Sequence, residues 1–301
     1  MFAQQGSEEM ERAFALDDNE LSAMAFAEAI GHFESAIALS PSSMFHHDIA
    51  LAHYCLSKRI DDQGDSEKHI QASIKNLKCV LEEVGFDFGT QDLLSRAVFA
   101  LSEISEPSQK VPLLDEAIEL MRPVVDQAAE LQEFDSQELA SYYHRFGLFN
   151  VNRGLISVGA ERYQFFSPAV QYFCRAYQLD IENMHYWYCY GNSLMDKGKS
   201  TDDADERKEL FEQSLAFHRK AIARLDDEKD VYGAEGSGKW IASEFKYNFA
   251  CVLCLQGHHD ESLAVLTEAI NLYGYNKEFA GRDIDFTAIS TMPEFVRLTG
   301  E

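Results

Sequence analysis

Apolar residues recur every three to four positions along most of the chain, with small residues set between them, and this spacing predicts helices throughout. The clearest stretch is FKYNFACVLCLQGHHDESLAVLTEAINL, residues 245–272. Phe245, Phe249, Val252 and Leu253 fall on one face of a first helix. Leu263, Leu266, Ala269 and Ile270 fall on one face of a second. Gly257 divides the halves, and a glycine just past a helix end accepts the left-handed cap. Ala250, Ser262 and Ala269 are small where two helices would touch most closely. One such hairpin cannot bury its own apolar face, so the pattern predicts an array.

The same pairing predicts hairpins over residues 7–41, 42–84, 90–131, 136–181, 184–227 and 240–273, followed by a closing segment over 278–299, all in one domain of residues 1–301. Ala36, Val80, Val124, Ala176, Ala221 and Ala269 end the successive second helices and stand 44, 44, 52, 45 and 48 residues apart. Residues 61–69 read as a polar loop, and Pro123 is expected to kink its helix or shift its boundary. The stretches 154–167 and 199–212 read as surplus between the two helices of a pair. That surplus is expected to lengthen the helices, which would thicken the array on one side.

Phe249–Ala250, Leu253, Gly257, Ser262, Leu266 and Ala269 resemble the tetratricopeptide repeat (TPR), and Ala29, Phe33, Ala36 and Pro41 resemble its second helix. No tryptophan stands near Lys246, and Gly274 stands where the family places a proline. A standard repeat has about 34 residues, so these are enlarged. The resemblance implies an all-α fold, a right-handed α-solenoid of about six hairpins. Asp283, Phe286, Ile289, Pro293 and Phe295 resemble the segment that closes many bacterial arrays and covers the apolar face of the last repeat.

Composition narrows the function. Six prolines and 17 glycines in 301 residues disfavour a turn-rich β fold. The formal net charge of -25 argues against bare nucleic acid or anionic membrane as partner and is compatible with a basic protein. The opening MFAQQGSEEMERAF is acidic and lacks the apolar core of a secretory signal, and no apolar run reaches the length of a membrane span. Cys55, Cys79, Cys174, Cys189, Cys251 and Cys254 lie within helical patterns, as buried thiols of a reducing compartment do, so a cytoplasmic location is expected.

Candidate chemistry is sparse. Residues 233–239 fit the first part of a phosphate loop, but Trp240 stands where the Mg²⁺-binding hydroxyl belongs; a flexible linker is the plainer reading. Cys251 and Cys254 form a CxxC without a second pair, and a metal- or redox-linked role is the alternative they support. His46-His47-Asp48 and His258-His259-Asp260 read as surface triplets, since neighbours on a helix point about 100° apart. Asp202–Glu206 reads as a solvated loop or a helix start. No nucleophile has a paired base at a recognised spacing. No enzyme activity, cofactor or metal is assigned.

What remains is a binding surface on the first helices. The helical register places Ser141, His144, Arg145 and Leu148, then His185, Tyr188 and Asn192, then Glu244, Tyr247, Asn248 and Cys251 on the groove side. Tyr offers rigid area with a polar tip, and Asn pairs with both the donor and the acceptor of a peptide backbone. Within the family, arrays that clamp chaperone C-termini place asparagines where Asn192 and Asn248 stand, but Tyr188 occupies the first lysine place. The reading is a non-enzymatic scaffold for a partner protein or peptide. An acidic escort chaperone for a basic client is the alternative, and self-association is compatible with both.

Overall fold

The computed structural model describes residues 1–131, 134–228 and 238–300. Fourteen α-helices and one 3-10 turn, and no strand, occur among them. They belong to two compact units, Met1–Glu133 and Phe134–Glu301. The first unit holds α1 (Phe2–Ala15), α2 (Asn19–Leu39), α3 (Ser43–Ser57), α4 (Gln63–Val84), α5 (Phe88–Ile104) and α6 (Pro107–Glu130). The second holds α7 (Ser136–Ile156), α8 (Ala160–Leu179), α9 (Met184–Ser200), α10 (Ala204–Asp227), α11 (Lys239–Leu255) and α12 (His259–Asn271). It closes with α13 (Lys277–Arg282), the 3-10 turn Ile284–Phe286 and α14 (Pro293–Thr299). Within each unit odd and even helices pair as hairpins, and each hairpin packs on the next through its second helix. No described helix is long and apolar enough to cross a membrane.

Side chains mark half of the described α-helix starts. Asp18, Asp62, Asp87, Asp135, Asn183, Asp203 and Asn276 each accept a hydrogen bond from a first-turn amide, satisfying donors that the helix itself leaves free. At α7 this becomes a capping box, with Glu138 reaching back to the Asp135 amide. Gly257 turns α11 into α12 with φ of 78°, a conformation that costs other residues steric strain.

The hairpins share one contact rule. On the second helices Ala29, Ser73, Ala117, Ala169, Ser214 and Ser262 are small and buried. Four residues on, Phe33, Leu77, Met121, Phe173, His218 and Leu266 are large and buried. Where the small residue is serine, its hydroxyl donates across the hairpin: Ser73 to the Ala50 carbonyl at 2.8 Å, Ser214 to Gly191 at 2.7 Å and Ser262 to Ala250 at 2.7 Å. The large ring lies over a small residue of the first helix. A Cβ at Gly6 would stand 2.8 Å from Phe33, and one at Gly147 2.8 Å from Phe173.

The surplus residues extend this rule outward. Seven residues before each large position of the first five hairpins stands another buried large residue: Phe26, Ile70, Leu114, Phe166 and Phe211. Gly154 lies against Phe166 and Gly198 against Phe211, each seven residues beyond the corresponding small position of the first helix. Ser22 and Ser66 repeat the serine bridge there, to the Ala13 and Ser57 carbonyls at 2.8 and 2.9 Å. A seven-residue step returns a side chain to nearly the same helix face, so the added turns bury their apolar residues as the core turns do. The sixth hairpin lacks this extension, because α12 has only 13 residues.

Several sequence expectations change accordingly. The first helix begins at Phe2 rather than Ser7. Residues 63–69 are helical, since Asp62 caps α4 there. Only residues 157–159 and 201–203 connect α7 to α8 and α9 to α10, so the surplus lengthens the helices, as expected. The acidic run Asp202–Glu206 is the capped start of α10, where carboxylates meet the positive helix end. Pro112 and Pro123 lie within α6, which continues to Glu130. Residues 233–237 of the glycine-rich stretch lie outside the described residues; Gly238 precedes α11, and Lys239 and Trp240 open it.

The closing segment packs on the last hairpin. Phe286, Ile289 and Phe295 are buried and share one apolar cluster with Phe249, Leu253 and Leu266.

Candidate functional site

The second unit carries a cleft of ≈ 740 Å³. Asn192, Asp196 and Lys199 of α9 and Tyr247, Asn248 and Cys251 of α11 form its wall, with Arg162 and Arg207 from the starts of α8 and α10. Tyr275, Phe279, Asp283 and Asp285 of the closing segment complete it. First helices therefore supply most of the wall, as the register predicts, and a segment from beyond the last hairpin supplies the rest.

The cleft is polar at depth. Lys199 Nζ lies 2.9 Å from Asp285 and 3.3 Å from Asp196. Burial works against the Lys199 charge, yet these two carboxylates hold its pKa above the usual lysine value. Burial raises Asp196. Two polar atoms of the wall have no partner: Asn192 Oδ1 and Arg162 Nε are buried without a hydrogen bond. Such atoms cost free energy unless something reaches them.

The expected groove residues divide into two sets. Asn192, Tyr247, Asn248 and Cys251 line the cleft. Tyr247 and Cys251 are not open reading positions, however, because the closing segment covers them. Tyr247 stacks on Tyr275 at 3.8 Å and donates its hydroxyl to Asp283, and burial raises the pKa of both the Tyr247 phenol and the Cys251 thiol. Asn248 donates to the Tyr188 hydroxyl and to the Glu244 carbonyl. Tyr188 in turn stacks on Phe245 at 3.8 Å, so it packs behind Asn248 and does not line the cleft. Glu244 is half-buried, and that burial raises its pKa.

His144 and His185 meet away from the cleft, with ring centres 5.0 Å apart. His144 Nε2 lies 3.4 Å and His185 Nε2 3.6 Å from the sulfur of Cys189. Burial pulls His144 down to about 3 and pushes Cys189 up to about 12. Arg145 lies over the Tyr142 ring at 5.3 Å and lines neither place. Arg162 and Arg207 escaped the sequence reading because they stand in the first turns of second helices, whereas Lys199 lies seven residues after Asn192 on the same face of α9 and was within reach of the register. Cys189 is legible as a partner of His185 four residues earlier on one helix face.

The two thiols of the CxxC have different neighbours. Cys251 lies beside Asp283 and Asp285, whereas Cys254 interacts with Ser262 and the backbone of Ala288 and Ile289. Burial raises both thiols, which opposes the thiolate that redox exchange needs. Of the histidine triplets, His46 pairs with Asn76 at 2.8 Å, and His258 immediately precedes α12.

These hairpins, their shared contact rule and the closing segment define an α-helical repeat protein with a TPR-like solenoid fold. No protein-family model and no curated protein sequence matches the chain. Among solved structures it is similar to the S. pombe nuclear import adaptor Nro1, at 14% identity and a TM-score of 0.51, covering 99% of this chain and 96% of that one. A second crystal form of Nro1 gives a TM-score of 0.50 at 13% identity, covering 99% and 93%. A thermophilic TPR protein of Thermus thermophilus, TTC0263, gives 0.41 at 14% identity, covering 82% of this chain and 98% of that one.

Proposed function

We propose that the protein is a non-enzymatic interaction module that holds a stretch of a partner protein in the cleft between α9, α11 and the closing segment. The observation that carries this reading is the lining of the cleft, where the Asn192 amide offers an acceptor and the Arg162 guanidinium a donor. An extended peptide backbone presents both complements, an N–H for the first and a carbonyl for the second. Tyr275 and Phe279 add rigid aromatic area to the same cleft. A structure of similar fold, Nro1, is described as a nuclear import adaptor, and an adaptor role agrees with the cleft.

Affinity capture from native lysate tests it, with the wild type and an Asn192→Leu, Arg162→Leu variant as parallel baits, washed at low and then high salt. A partner retained at high salt by the wild type and lost from the variant is the expected result. Identical captures from both baits would overturn the assignment to this cleft. Basic proteins released from both baits by salt would favour the escort reading, because charge-driven association is screened.

A further inference from the structure

We infer that His144, His185 and Cys189 form a binding site for a zinc-class divalent ion, separate from the cleft. His185 and Cys189 stand four residues apart on α9 and share one face. His144 reaches the same point from α7, and the three donor atoms lie within 4.8 Å of one another. A tetrahedral ion with nitrogen at about 2.0–2.1 Å and thiolate sulfur at about 2.3 Å sets that nitrogen and sulfur roughly 3.6 Å apart. The two nitrogen–sulfur distances here are 3.4 and 3.6 Å, so an ion fits with small side-chain rotations. Two imidazoles and one thiol make a borderline-soft donor set, which suits Zn²⁺ and not Mg²⁺ or Ca²⁺.

The surroundings support such a site. Phe173 and Ala169 pack against Cys189, and the His144 ring lies against Phe173 and Tyr186 at 5.5 and 5.2 Å. These contacts hold two donors in place before any ion arrives. His185 is exposed and gives the ion a path from solvent. Three protein donors leave a fourth position for water. Binding joins the sulfur to the metal and releases the thiol proton to solvent, with no change of oxidation state. The bound ion would tie α7 to α9, two first helices of consecutive hairpins.

The test uses the full chain, stripped with chelator and kept reduced, and titrated with Co²⁺ as the spectroscopic probe. One equivalent should bind with a thiolate-to-cobalt charge-transfer band that Zn²⁺ then displaces, and Zn²⁺ should raise Tm. Cys189→Ser should abolish the band. His185→Ala, at an exposed side chain, should leave the fold intact and weaken binding by at least ~10-fold. Cys79→Ser, at an exposed thiol, should bind as the wild type does. Absence of the band in the wild type would show that the cluster holds only thiol–imidazole hydrogen bonds and would overturn the inference. A band that persists unchanged in Cys189→Ser and His185→Ala would do the same by locating the metal elsewhere.

Discussion

His218 occupies the large position that phenylalanine, leucine or methionine fills in the other five hairpins. Both of its ring nitrogens are buried without a hydrogen-bond partner. Desolvation pulls its pKa down to about 3, so it is neutral when folded and titrates near its ordinary value when unfolded. Between roughly pH 3 and 6.5 the unfolded chain therefore binds the extra proton, and the stability associated with this residue is lost as pH falls through that window. His218→Phe should raise stability by about 1–2 kcal/mol at pH 7, by removing polar atoms that have no partner. The advantage should widen by about 1 kcal/mol for each pH unit below 6. Urea denaturation of both proteins at pH 7 and pH 5 measures this. An advantage equal at the two pH values would show that the imidazole finds a partner or a proton in the native state.

At the scale of the helix, glycine has two opposite meanings in this chain. Gly31 lies in α2 with open space where a Cβ would stand, so Gly31→Ala should stabilise by about 0.5–1 kcal/mol through helix propensity. At Gly154 the same gain of about 1 kcal/mol is set against a Cβ only 2.8 Å from the ring of fully buried Phe166. Overpacking costs typically 1–3 kcal/mol, so Gly154→Ala should be net destabilising. Thermal melting of the two variants should move Tm in opposite directions. The start of α7 depends on its capping box, and Asp135→Ala should cost about 1 kcal/mol without shifting the cleft.

At the scale of the assembled second unit, the closing segment joins stability to the site. Phe286 is fully buried, touches Tyr247 edge-on at 5.7 Å and follows directly on Asp283 and Asp285 of the cleft. Phe286→Ala should lower stability by about 3–5 kcal/mol. It should also weaken partner capture while the protein is still folded, because Asp283 loses its placement against Tyr247. Denaturant titration and capture on the same preparation check both effects. Undiminished capture would separate the segment from the site.

The repeat grammar was legible before any coordinates. Small and large residues at helical spacing and Gly257 at a turn act through neighbours a few residues away, where sequence distance and spatial distance nearly coincide. That is why Ala36, Val80, Val124, Ala176, Ala221 and Ala269 keep one place in successive second helices and are all buried. The surplus residues were harder to read, since a polar, acidic run such as Asp202–Glu206 suits both a loop and a capped helix start. The functional surfaces depended on folding. Tyr247 faces the groove by register, but the segment that covers it follows about thirty residues later, and no local rule states where that segment lands. His185 and Cys189 share a helix face on spacing alone, whereas His144 joins them across 45 residues of chain. Helix packing brings those three donors to one point, and local periodicity carries no record of it.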